Sequence, residues 1–200
     1  VTDDKGAYAD QTVVVTINGT NDKPVVANTS ADAAGAVTEA GNLDAGTAVA
    51  GAGSVTGTLS VSDVDTNSKQ VWSIVGTPSA TYGAFTVDAS TGAWTYTLDD
   101  TKDETQALRQ GEVVTQSYVV RVTDDKGAYA DQTVVVTING TNDIPVVTNA
   151  VAAKAGSVTE AGSLNDGTAV AGTSTTTGTL TTSDVDASAT KTWSVVGANS

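Results

Sequence analysis

The chain has 200 residues, 23 acidic and 9 basic, for a formal net charge of −14 at pH 7. That balance disfavours nucleic acid, whose phosphates need clustered Lys and Arg, and anionic membrane surfaces; it suits hard cations held by carboxylate oxygens. Cys, His and Met are absent, which excludes disulfides, thiol nucleophiles, His-based triads and most zinc or iron sites.

From its first residue the chain repeats itself. VTDDKGAYADQTVVVTINGTND at 1–22 returns at 122–143 with all 22 positions identical, and 24–79 aligns without gaps on 145–200 with 32 of 56 positions matching. The offset is 121 residues in both cases, and self-similarity at a fixed period marks tandem modules. We therefore read 1–23 as the closing strand and linker of a preceding module, 24–144 as a complete module, and 145–200 as the opening part of a following one. The N-terminus lacks the basic start and apolar run of a signal peptide and opens in mid-pattern, so the chain reads as an excerpt. No run approaches the roughly 18 apolar residues of a membrane span. A module of this length can bury its own core, whereas the flanking pieces are expected to need neighbours to complete them.

Period-2 alternation with β-branched and aromatic residues dominates the complete module. In chain order, strands are expected over 36–39, 55–61, 70–75, 84–87, 93–98, 117–123 and 131–139. Trp72 and Ile74 share a face of the third strand, and Phe85 and Val87 share one of the fourth. Trp94, Tyr96 and Leu98 line the fifth, Tyr118, Val120 and Val122 the sixth, and Val134, Val136 and Ile138 the last. DASTG at 88–92 makes a tight turn, and TKDETQALRQG at 101–111 is the one helix-like piece, with Leu108 as its apolar plug. Asn-Gly at 18–19, repeated at 139–140, is ordinarily a hairpin signal, but with Asn21-Asp22 and Pro24 after it we read it as the end of a module's last strand. Seven short strands and almost no helix predict an all-β, seven-stranded antiparallel sandwich of two sheets.

The acids continue the inward parity of the strands. Val55, Leu59 and Val61 lead in step to Asp63 and Asp65, and Tyr118, Val120 and Val122 lead to Asp124; side chains two apart point the same way. With strands alternating in direction, Asp63, Asp65 and Asp124 gather at the pole that meets Asn21 and Asp22. The opposite pole carries Glu39, Asp99, Asp100, Asp103 and Glu104, and meets Asn142, Asp143 and the following module's Asp184 and Asp186. Converging carboxylates repel unless protonated or neutralised, and Ca²⁺ takes six to eight oxygens from carboxylate, amide and backbone donors. Asp and Asn also cap backbone groups in turns, and for any one of these residues both readings stay open. Glu39, Asp103 and Glu104 have a further reading, since a helix start attracts acids without any metal.

GTLSVSDVDT, TYGAFTVDASTGAWTYTLDD, QALRQGEVV, YVVRVTDDKG and VTINGTNDKPVV follow one another in the order found in VCBS-type repeats, which the module resembles over essentially its whole length. Such repeats occur in giant, tandemly arrayed bacterial adhesins of the RTX class. The resemblance implies an immunoglobulin-like or cadherin-like sandwich, type I secretion to the bacterial cell surface, and a role in attachment and biofilms, with Ca²⁺ stiffening the contacts between neighbouring repeats. By analogy with cadherin junctions, Asn21, Asp22, Asp63, Asp65 and Asp124 belong to one ion-holding junction. Glu39, Asp99 or Asp100, Asn142, Asp143, Asp184 and Asp186 belong to the next. The linker departs from that of cadherins in passing directly from Asn-Asp to a variable residue and Pro.

On this reading the module is a calcium-rigidified extender that holds distal binding domains away from the cell, with surface glycan or protein met through other domains. The competing reading is a glycan- or protein-binding module, for which Tyr82 and Tyr129 are the aromatics outside the inward rows. Enzymatic activity is not expected: only a carboxylate pair could act, and acids at sandwich poles lack a cleft. Lys69, Lys102 and Lys126 sit in turn-like segments, which disfavours Lys–Asn crosslinks.

Overall fold

The computed structural model describes residues 1–43 and 46–197; the last three residues of the expected third segment, 198–200, lie outside them. The first half of the segment 24–144 contains β1 (Val25–Val26), β2 (Ala34–Thr38), β3 (Gly41–Asn42), β4 (Ala48–Val49), β5 (Ser54–Thr58) and β6 (Val61–Ser62). The second half contains β7 (Val71–Ile74), β8 (Gly83–Val87), β9 (Ala93–Leu98), the short helix α1 (Asp103–Gln106), β10 (Val113–Thr123) and β11 (Tyr129–Asn139). Two sheets carry the fold, one in the order β2-β11-β10-β7 and the other β5-β9-β8.

Alternation built both inner faces. Val134, Val136 and Ile138 of β11 and Val120 and Val122 of β10 are fully buried, and Trp94, Tyr96 and Leu98 of β9 meet them from the other sheet. Phe85 stacks on Tyr118 at 4.3 Å between ring centroids and 5° between planes, and on Trp94 at 5.9 Å. Offset stacks of this kind add to simple area burial. The Tyr118 hydroxyl donates to the Gln116 side chain, with Ser79 O a second acceptor in reach at 3.2 Å, so this polar tip inside the core is satisfied.

One feature of the expected architecture is corrected. The sandwich is not wholly antiparallel: β2 runs parallel to β11, with Val37 opposite Ile138. The two main sheets hold four and three strands, and β1 pairs with β6 and β3 with β4 as further two-stranded ribbons outside them. Isolated pairs of two residues lack the run of alternation that makes a strand visible in sequence. The sixth expected strand also starts earlier, since Val113 to Gln116 of β10 pair with Val136 to Asn139 of β11.

Beyond the module, β12 (Val146–Val147) pairs with β15 (Thr182–Ser183), and β13 (Gly162–Ser163) pairs with β14 (Ala169–Val170). These are the counterparts, 121 residues on, of the β1–β6 and β3–β4 ribbons. Among the described residues, 155–158, 175–179 and 192–195, the counterparts of most of β2 and of β5 and β7, form no strand. The identical 22 residues make the contrast sharper. Val134, Val136 and Ile138 are fully buried, while their copies Val13, Val15 and Ile17 are 79%, 76% and 89% exposed. Partners, not propensity, decide whether this segment is a strand.

The end of β11 is held closely against the exit of α1. A Cβ at Gly140 would lie 2.5 Å from Arg109 O and 2.7 Å from Leu108 Cβ, and the Gly140 N–H donates to Glu112 O at 2.9 Å. Gly140 therefore serves close approach and not a hairpin. Gly140→Ala is expected to destabilise the module by about 1–3 kcal/mol, the cost of overpacking a tight contact. Urea unfolding followed by circular dichroism checks it.

Candidate metal centre

Both poles of the module are acidic, but their carboxylates are in different states. At the N-terminal pole, β6 leads into a turn in which Asp63 accepts from the Asp65 N–H (3.0 Å), the Ser68 hydroxyl (2.8 Å) and Gln70 Nε2 (3.4 Å). Asp124, after β10, accepts from the backbone of Lys126 (2.8 Å) and Ala128 (2.9 Å) and from Asn21 Nδ2 (3.0 Å). Asp65 accepts the Asp22 N–H at 2.8 Å. The structure thus brings Asn21, Asp22, Asp63, Asp65 and Asp124 together. The Asp65 N–H and Ser68 hydroxyl hold Asp63 below its ordinary carboxylate range, and the Asn21 amide does the same for Asp124. Hydrogen bonds to the charged form are the cause.

At the C-terminal pole Glu39 and Asp186 are buried, and Asp100, Asp143 and Asp184 are half-buried. Glu39, one residue past β2, is fully buried and accepts from the Thr141 N–H (3.2 Å) and Gln106 Nε2 (3.3 Å). Burial pushes its carboxyl up to about 7, with Asp143, Asp100 and Asp186 adding repulsion against the hydrogen bond from Thr141. Asp143 is pushed up by burial and then by Asp186, Asp184 and Asp100. Asp186 is 7% exposed and is likewise raised, first by burial. Asp100 Oδ1, Asp143 Oδ2 and Asp186 Oδ1 are buried oxygens with no hydrogen-bond partner among the described residues. Unsatisfied buried carboxylate oxygens are costly unless something neutralises them.

This pole separates Asp99 from Asp100. Asp99 Oδ1 accepts from the Thr101 N–H (3.0 Å) and hydroxyl (2.6 Å), which hold its carboxyl low in a local turn. Asp100 is the member that faces Glu39 and Asp143. Asn142 braces the linker, donating through Nδ2 to Asp143 O at 3.0 Å and accepting the Asn42 N–H through its own carbonyl at 2.5 Å. The Asp143 N–H donates to Asp186 Oδ2 at 2.8 Å, repeating the Asp22–Asp65 bond of the other pole, and Asp184 Oδ1 accepts the Asp186 N–H at 3.2 Å.

Among the described residues, no group of three or more acids closes to the spacing that holds an ion. Repulsion from Asp143, Asp100 and Asp186 reaches Glu39, and converging carboxylates repel unless protonated or neutralised. The donor set, carboxylates plus an Asn and backbone carbonyls, is of the oxygen-only kind that suits Ca²⁺. Sequence parity did not reveal Gln106 and Thr141, which hold Glu39, because neither lies on a strand row. Gln106 could be found only through α1, and Thr141 only through the parallel pairing of β2 with β11.

The two aromatics outside the inward rows do not form an open platform. Tyr82 packs against the core. Tyr129 is half exposed, but the Arg121 guanidinium, paired bidentately with Asp131 at 2.7 and 2.8 Å, sits 3.5 Å from its ring centroid. No helix among the described residues is long and apolar enough to cross a membrane.

No curated protein matches the chain. One solved structure similar to it is described as "PcdhgB3 EC1-4 in 50 mM HEPES", at 17% identity and a TM-score of 0.41, covering 82% of this chain and 33% of that one. The chain therefore spans about a third of the length of that structure. The family profile described as the bacterial cadherin-like domain matches residues 21–140, from the Asn-Asp before the sandwich to the close of its last strand, and the chain belongs to that family.

Proposed function

We propose that this chain is part of a secreted bacterial surface adhesin, in which tandem cadherin-like modules act as a calcium-stiffened extender between the cell and distal binding domains. The observation that carries this reading is the buried, unpartnered oxygens of Asp100, Asp143 and Asp186 gathered about Glu39 where one module meets the next segment. Glu39, Asp100, Asn142 and Asp143 from one side and Asp184 and Asp186 from the other would hold the ion. Asn21, Asp22, Asp63, Asp65 and Asp124 would form the module's share of the junction before it. A bound Ca²⁺ supplies positive charge that turns mutual repulsion into shared ligation. The repetition of the chain at a fixed offset supports a spacer, which needs length and repetition in place of a unique surface.

Calcium bound only by the aligned state stabilises that state by mass action, by about 2.7 kcal/mol at a hundredfold excess over Kd. Small-angle scattering tests the mechanical part: calcium is expected to lengthen and stiffen the particle, and profiles unchanged between calcium and chelator would refute it. The two neighbouring acids give a finer test. Asp100→Asn is expected to weaken calcium binding tenfold or more, whereas Asp99→Asn, whose carboxylate is engaged by Thr101, leaves it within about twofold. Each can be read by calcium titration.

A further inference from the structure

We propose that the exit of α1 is a docking element for the following module, which sets the register of the two through a backbone contact that needs no ion. The inference rests on reading 145–200 as a following module, but not on the ion itself. The Ala187 N–H donates to Ala107 O at 3.0 Å. Ala107 caps the C-terminus of α1, where helix carbonyls lack intrahelical donors, so an acceptor is free to receive a neighbour.

Both sides of the contact are held in place. Behind Ala107, Leu108 is buried at 4% exposure, and the Glu112 N–H donates to Arg109 O at 2.9 Å. Gly140 lets this turn lie directly on the end of β11. On the other side, the loop that carries Ala187 is closed by the Ala189 N–H to Asp186 O at 3.2 Å and by Ser188 at φ 57°. Its copy 121 residues earlier has the same form: the Ser68 N–H donates to Asp65 O at 3.3 Å, and Asn67 sits at φ 62°. There, however, the Thr66 N–H, counterpart of Ala187, has no acceptor among the described residues. The loop shape is therefore intrinsic, and the bond to Ala107 is what α1 adds. Donor and acceptor are both backbone, so the contact survives the divergence of 66–71 from 187–192, TNSKQV against ASATKT.

Amide hydrogen exchange on the intact chain in chelator tests this. After correction for local sequence, the Ala187 amide is expected to exchange at least tenfold more slowly than that of Thr66. Equal corrected rates would overturn the proposal. A second measurement uses the absence of native cysteine: spin labels at Thr115→Cys and Thr177→Cys, with and without Ala187→Pro, which removes the donor. The distance distribution in chelator is expected to be broader with the proline, and equal widths would count against the contact. A calorimetric titration with no calcium binding would remove the ion reading and leave the exchange ratio standing. Bound calcium with equal exchange rates would do the reverse.

Discussion

In chelator, the stability of the chain is expected to fall as pH rises from about 5 to about 8, and Glu39→Gln to abolish most of that fall. The carboxyl of Glu39 is raised from 4.5 to about 7 in the folded state. Between those values the folded chain holds more protons than the unfolded one, so unfolding free energy decreases with pH. The stability is fully present below the unfolded value and has been lost once pH passes the folded one. A displacement of this size corresponds to about 3 kcal/mol at pH 8, and the raised carboxyls of Asp143 and Asp186 act in the same direction.

Gln at position 39 keeps the shape and can keep both hydrogen bonds. Its amide oxygen accepts the Thr141 N–H while its NH₂ donates to a flipped Gln106. On the proposed reading, bound calcium is expected to offset the wild-type fall, because a cation favours the charged carboxylate. With saturating calcium, the wild type is expected to hold its stability to pH 8 and the variant to gain less from the ion. Urea midpoints across pH, with calcium and with chelator, check both. A Glu39→Gln variant that retained the wild-type pH slope would show that another group carries it.

The second large effect separates two copies of one sequence position. Trp72→Ala is expected to cost about 3–5 kcal/mol, the range for deleting a buried aromatic, and Trp193→Ala in the same chain less than about 0.5 kcal/mol, as at an exposed site. The two tryptophans are 121 residues apart and each is followed by Ser. Trp72 is 3% exposed, and a Cβ at Gly92 would lie 2.8 Å from its Nε1, whereas Trp193 is 53% exposed. Denaturation followed by far-ultraviolet circular dichroism distinguishes the two variants. Equal losses would mean that Trp193 is packed in a core of its own.

Much of the sandwich was legible because its strands alternate. The rows ending in Val122, Leu98 and Ile138 point inward as parity requires, and Leu108 plugs the core beside a helix of one turn, as expected for 101–111. Three things were not legible. The parallel β2–β11 pair depends on a contact about a hundred residues apart in sequence, which local pattern does not encode. The two-residue ribbons are too short to show a period. The choice between Asp99 and Asp100 was set by Thr101, which claims the first of two adjacent acids for a turn. Continuing strand parity past the apolar rows did group the acids by pole, because β6 and β10 end where their carboxylates begin. It could not tell that those at Asn21 would be satisfied by protein donors while three of those at Asn142 would each keep an oxygen unpaired.

The most direct measurement of the central claim is calorimetric titration of the 200-residue chain with calcium, beside a variant carrying Asp143→Asn and Asp186→Asn. Calcium binding is expected in the wild type, and loss of the ions held at that junction in the variant, with its circular dichroism spectrum unchanged. Identical stoichiometry and affinity in the two would contradict the claim.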